Sequence, residues 1–135
     1  MSESSYHTKM VQEISFWIDK SCSPAKDLIV LTDLPNTPRQ KLPEIINNFR
    51  PDVFARSFND KSIYIGEAKT GPDLERPHSI SQIKTFLQYL SNQESPTLII
   101  ATSWDMVRCA RALVGALQKE VFAEKVKVEF LTVWP

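Results

Sequence analysis

Cysteine is scarce in this chain: Cys22 and Cys109 are the two thiols among 135 residues, and they stand far apart. With no Cys-x-x-Cys pair, a structural zinc site is not expected. Both thiols are expected to act as small buried or half-buried apolar groups. No apolar stretch approaches the roughly 20 residues that span a bilayer, so no membrane partner is expected. The opening from Met1 to Lys9 is polar and lacks an apolar core, so no secretory signal is expected and a reducing, cytoplasmic setting fits best. An excess of charge of one sign is also missing, since the formal net charge is +0. Nucleic-acid binders are often basic, so global charge lends such a role no support, although a local patch is enough to engage phosphates. No internal repeat and no low-complexity segment occurs.

What is present suits one compact domain over residues 1–135. Apolar residues make up 42% and charged residues 24%, the balance of a chain that can bury a core of its own. After a tail over residues 1–6, Met10, Val11, Ile14, Trp17 and Ile18 recur at helical spacing from about His7 to Ser21, with Phe16 on the opposite face. Leu28-Ile29-Val30-Leu31 reads as a buried strand within Asp27 to Thr32. Pro35, Pro38 and Pro43 mark a loop, and Glu44 to Phe49 reads as a helical turn or an edge segment. Ser79 with Gln82 fits a capping box. It opens a helix to about Asn92 whose apolar face is Ile80, Ile83, Phe86, Leu87 and Leu90. A strand over Thr97 to Thr102, a helix capped by Ser103, and a last strand over Val126 to Val133 complete the chain. The order is α-β-β-β-α-β-α-β, an α/β class with a mixed central sheet flanked by helices.

The chemistry concentrates between Arg50 and Thr70. Arg50 to Arg56 and Ser62 to Thr70 are rich in β-branched and aromatic residues, and Asn59-Asp60 between them suits a turn. A hairpin with its tip at Asn59-Asp60 pairs Arg56 with Ile63, Phe54 with Ile65 and Asp52 with Glu67. Two carboxylates so placed lie about 5 Å apart at Cβ, which is destabilising unless a proton, a base or a cation compensates. Lys69, two residues beyond Glu67, shares its side of the strand. Two carboxylates and an amine on one face suit a hard divalent cation such as Mg2+, with Mn2+ as an alternative. A surface ion pair between Glu67 and Lys69 is the ordinary reading of such residues. The apolar run Ile63-Tyr64-Ile65 argues against it, because it places the charges at the rim of a core.

Pro51-Asp52, fourteen residues, then Glu67-Ala68-Lys69 resembles the signature of the PD-(D/E)XK nucleases, the restriction-endonuclease-like superfamily. Gly71-Pro72-Asp73 followed by Ser79-Ile80-Ser81-Gln82 is similar to its virus-type replication-repair branch, with a longer loop from Leu74 to His78. The resemblance implies Asp52, Glu67 and the Ala68 carbonyl as metal ligands. It makes Lys69 the residue that orients water, and gives Glu13 and Gln82 supporting places at the site. Gln82 also has its capping role, and Glu13 is equally readable as an exposed residue near Lys9 or Lys20. Arg50, Arg76, His78 and Lys84 are the candidate phosphate contacts, beside a helix N-terminus that itself favours phosphate. The implied activity is metal-dependent hydrolysis of DNA, structure-specific at junctions or flaps, by a chain that pairs as a homodimer. Two rival classes are a nuclease-fold module that binds nucleic acid or a protein without cutting, and an α/β scaffold with no nucleic-acid role, which the neutral charge favours.

Overall fold

Four apolar residues spaced three or four apart can share one stripe of a helix and bury it together. The computed structural model describes residues 3–21, 27–59 and 61–135, with the side chains of all of these except Glu3 and Ser4. In it Met10, Val11, Ile14 and Ile18 are fully buried along α1 (Glu3–Ser21), and Phe16 faces outward. The helix starts earlier than the sequence suggests. Residues 3–6 belong to it rather than to a tail, and Tyr6 is tied down by donating its hydroxyl to the Val133 carbonyl at 2.5 Å.

Among the described residues five strands form one sheet. They are β1 (Leu28–Thr32), β2 (Val53–Ser57), β3 (Ser62–Ala68), β4 (Ser95–Thr102) and β5 (Lys127–Thr132), in that spatial order. β1, β2 and β3 run antiparallel as a meander, whereas β3, β4 and β5 are parallel. The parallel crossovers are made by α2 (Pro77–Ser91) and α3 (Val107–Glu120). The α/β class and the element order therefore stand as read. Ile63, Ile65, Leu98 and Ile100 meet α2 and α3 on one face, around the fully buried Phe86. Val53, Ala55, Tyr64, Ala68 and Ile99 meet α1 on the other. The hairpin register is also as expected, with Phe54 opposite Ile65 and Arg56 opposite Ile63. Of its turn, Asp60 lies outside the described residues.

Close approach of α1 to β3 depends on small side chains. A Cβ added to Gly66 would lie 2.4 Å from Cγ2 of the buried Ile14 and 3.2 Å from Cβ of Val53. Gly66 and Ala68 share the strand face beneath the helix, so the segment next to Glu67 is where α1 comes down onto the sheet.

Several local readings are corrected. β1 is not a buried strand. It is a sheet edge with Ile29 47% exposed, because it pairs with β2 alone. An apolar run does not distinguish the two positions. α2 begins at Pro77, a residue whose fixed φ suits the first helical position, and no side-chain cap bond closes it. The capping box at Ser79 and Gln82 is therefore absent, and both residues lie inside the helix, buried. Ser103 likewise makes no cap bond. A 3-10 turn over Trp104–Met106 intervenes before α3. Glu44 to Phe49 is a tight reverse turn in which Ile46 and Phe49 exchange N–H···O bonds of 2.7 and 3.0 Å. Asn47 and Asn48 supply the positive φ that such a turn requires. Cys109 is exposed rather than buried, and Cys22 lies outside the described residues. Among the described residues no helix is long and apolar enough to cross a membrane.

Candidate metal-dependent active site

The strand ends bring the acids together. Asp52 immediately precedes β2, where the Asp33 N–H donates to its carbonyl at 2.8 Å and extends the pairing with β1. Glu67 and Ala68 end β3, and Lys69 follows, its N–H donating to the Ala101 carbonyl of β4 at 2.9 Å. Backbone pairing on both sides thus fixes the roots of all three side chains.

The two carboxylates clasp the opposite backbone. The Asp52 N–H donates to Glu67 Oε1 at 3.0 Å, and the Ala68 N–H donates to Asp52 Oδ2 at 2.9 Å. The other Glu67 oxygen, Oε2, lies 3.6 Å from Lys69 Nζ, which donates to Gln82 Oε1 at 2.5 Å. Gln82 is free to do this because it lies one turn inside α2 rather than at its cap. From α1, His7 Nε2 approaches Asp52 Oδ2 at 3.4 Å.

Burial decides the electrostatics. Glu67 is 1% exposed, and desolvation pushes its carboxyl well above the usual carboxylate range. The neighbouring Asp52 charge pushes the same way, and Lys69 opposes both without prevailing. His7 is raised above its usual value by its hydrogen bond to Asp52, while desolvation and the Lys69 charge oppose that rise. Ionising Glu67 beside Asp52 therefore carries a cost that Lys69 offsets only in part.

A cleft of about 410 Å³ opens over this cluster. It is lined by His7, Asp52, Glu67, Ala68, Lys69 and Gln82, with Asp73, Arg76, His78 and Ser79 at the α2 side. Arg76 and His78 are exposed there, Arg76 held 3.1 Å from Asp73 and His78 set edge-to-face against Phe49 with centroids 5.4 Å apart. The other nominated residues lie outside the cleft. Glu13 is exposed on α1, six residues along from His7, and the helix-borne group that reaches the acids is His7 instead. Arg50 donates to the Pro43 carbonyl, and Lys84 pairs with Glu120 at 2.9 Å. His7 lies within the helix that the sequence predicts, but nothing local to it signals that it faces Asp52, so sequence reading selects Glu13 on that helix instead.

A larger concavity, about 680 Å³, lies over the open face of β1 and β2, with Phe54, Arg56 and Tyr89 in its wall. It holds no paired acids, so the smaller cleft is where hydrolytic chemistry has its groups.

Among the described residues no group of three or more His, Cys, Asp or Glu side chains gathers as a metal cluster. The donors that do converge are nevertheless of the right kind. The Asp52 and Glu67 carboxylates are hard oxygen ligands, and Mg2+ commonly binds through one or two carboxylates with water and phosphate completing its shell. The raised Glu67 carboxyl marks a place where a cation relieves an existing electrostatic cost. The residues fit such an ion. The chain matches no family model, no curated protein and no solved structure.

Proposed function

We propose that the chain is a metal-dependent phosphodiesterase that hydrolyses DNA, using Mg2+ or Mn2+ on a restriction-endonuclease-like fold in a cytoplasmic setting. The observation that carries this reading is the convergence of Asp52, Glu67 and Lys69 in one cleft, with Gln82 bound to the lysine. Asp52, Glu67 and the Ala68 carbonyl would hold the ion. The chemistry supplied when it is bound is Lewis acidity toward the phosphate.

The remaining work belongs to side chains of this protein. Lys69 places a cation where negative charge develops on the phosphate during attack by water, and Gln82 fixes the direction of its ammonium. His7 holds the Asp52 carboxylate from the side of α1. Arg76 and His78, exposed at the mouth, meet the phosphates on either side of the scissile one. A structure-specific substrate, a junction or flap, and a paired chain follow from the resemblance in sequence.

One observation favours a second reading, a module that binds DNA without cutting it. The Lys69 side chain is 10% exposed and already engaged by Glu67 and Gln82. A single experiment separates the two. Branched and linear DNA are incubated with the protein in Mg2+, Mn2+ or chelator. Cleavage that requires metal and disappears in Asp52→Ala and Lys69→Ala supports the enzyme. Salt-sensitive binding with no cleavage in any metal supports the module, and no binding at all leaves only a scaffold.

A further inference from the structure

Two tryptophans that the catalytic reading leaves unused sit at the same edge of the sheet as the acids. Because β3, β4 and β5 are parallel, the segments leaving their C-terminal ends emerge side by side. Asp52, Glu67 and Lys69 lie where β3 ends. Trp104 follows β4 and Trp134 follows β5. Their indoles stack on each other at 28° with centroids 6.0 Å apart, and yet remain 60% and 62% exposed. Burial does not explain a stacked pair this open, since an aromatic ring contributes most when it is covered.

The pair is held in place by the same helix end that serves the acids. Near the start of α1, Tyr6 donates to the Val133 carbonyl at 2.5 Å, His7 meets Asp52 at 3.4 Å, and Lys9 donates to the Trp134 carbonyl at 2.6 Å. The Val133 N–H donates to the Thr102 carbonyl at 2.9 Å, which locks the two tryptophan-bearing segments together. The backbones that carry the two indoles are therefore tied to each other and to α1.

We infer that the open face of the Trp104–Trp134 pair stacks an unpaired base of the DNA strand whose phosphate lies in the cleft. The inference rests on the nuclease reading for the identity of that strand. Three strand spacings separate Asp52 from the end of β5, about 14 Å, or about four nucleotides of a stacked strand at ~3.4 Å each. His7 stands at the Asp52 end of that path and Lys9 at the Trp134 end, where each suits a phosphate of the strand. The stacked indoles offer the strand an aromatic surface, and the base is the part of a nucleotide that stacks on it. Indole faces accept any base by stacking, whereas a base inside a duplex has both faces covered by its stacked neighbours. The platform thus selects for a frayed, branched or single-stranded segment beside the cut.

The test uses the full chain in chelator, so that no cleavage intervenes, with tryptophan fluorescence as the readout. A twelve-residue oligothymidine and a blunt hairpin duplex of equal length are the probes. The expected result is quenching by the oligothymidine, little quenching by the duplex, and oligothymidine binding weakened about tenfold in Trp104→Ala and in Trp134→Ala. The paired change to Phe at both positions keeps a stacking face and should restore binding, read by the anisotropy of a labelled oligothymidine because the platform indoles are gone. Wild-type affinity in both alanine variants overturns the inference, as does equal quenching by the two probes. Cleavage in Mg2+ is scored separately. Its absence with quenching intact removes the nuclease reading and leaves the platform, whereas cleavage with no quenching removes the platform alone.

Discussion

Replacing Glu67 by glutamine isolates the charge at the centre of the cleft. The amide keeps the side-chain volume and the oxygen that accepts the Asp52 N–H at 3.0 Å. What it removes is a carboxylate that burial and Asp52 hold well above its usual range. A carboxyl raised in the folded state contributes stability that is complete below its unfolded value, near 4.5, and is lost as pH rises through the folded value. Metal-free wild type should therefore weaken as pH climbs from 4.5, and Glu67→Gln should not show that component. At pH 8 in chelator the variant is expected to melt no lower than wild type. Loss of its pairing with Lys69 does not reverse this, because the raised carboxyl already includes the pull of the lysine. Metal inverts the comparison. With free Mg2+ at about ten times its Kd, linkage stabilises wild type by about 1.4 kcal/mol. For a chain of this size that is a rise of about 4–6 °C in Tm. The variant should gain less than a quarter of it. Scanning calorimetry at several pH values, with and without Mg2+, reads both effects. A variant that melts lower than wild type at pH 8 in chelator, or that keeps the full metal shift, refutes the electrostatic reading of the site.

Other outcomes follow from the same geometry. The His7 imidazole should titrate above an ordinary histidine, and Asp52→Asn should bring it down by removing the hydrogen bond and charge that raise it; proton NMR of the ring reads this, and an unshifted His7 in wild type contradicts the contact. Gly66→Ala should cost about 1–3 kcal/mol in urea unfolding, because its Cβ meets Ile14 at 2.4 Å where neither element has room to move. A loss within 0.5 kcal/mol would mean that α1 does not lie so close. Phe86→Ala, at the centre of the layer between α2 and the sheet, should cost about 3–5 kcal/mol. Cys109 should react with a thiol reagent in the native protein, and Cys109→Ser should leave stability unchanged within about 0.5 kcal/mol.

The hairpin and its acids were legible in the sequence because a period of two leaves little choice. Once the turn is centred near Asn59, Asp52 must oppose Glu67, and the ladder from Val53 to Ser57 agrees. The helical stripes of α1, α2 and α3 were legible for the same reason at their own period. What patterning does not carry is the neighbourhood of each element. Leu28–Thr32 has the composition of a central strand and lies at the edge, since nothing in the run Leu28-Ile29-Val30-Leu31 says how many partners it will have. Ser79 and Gln82 have the spacing of a cap, but Pro77 starts the helix first and turns Gln82 toward Lys69. His7 acquires meaning only when Gly66 lets α1 settle over β3 and sets the imidazole beside Asp52. Trp104 and Trp134 are thirty residues apart in sequence and meet because two parallel strands end together.

Substrate choice does not enter the most direct measurement of the central claim, which is a Mn2+ titration of the metal-free protein followed by electron paramagnetic resonance. The expected result is one bound ion per chain, lost in Asp52→Asn and in Glu67→Gln and retained in Lys69→Ala. Equal binding by wild type and Asp52→Asn, or no bound ion in wild type, would contradict it.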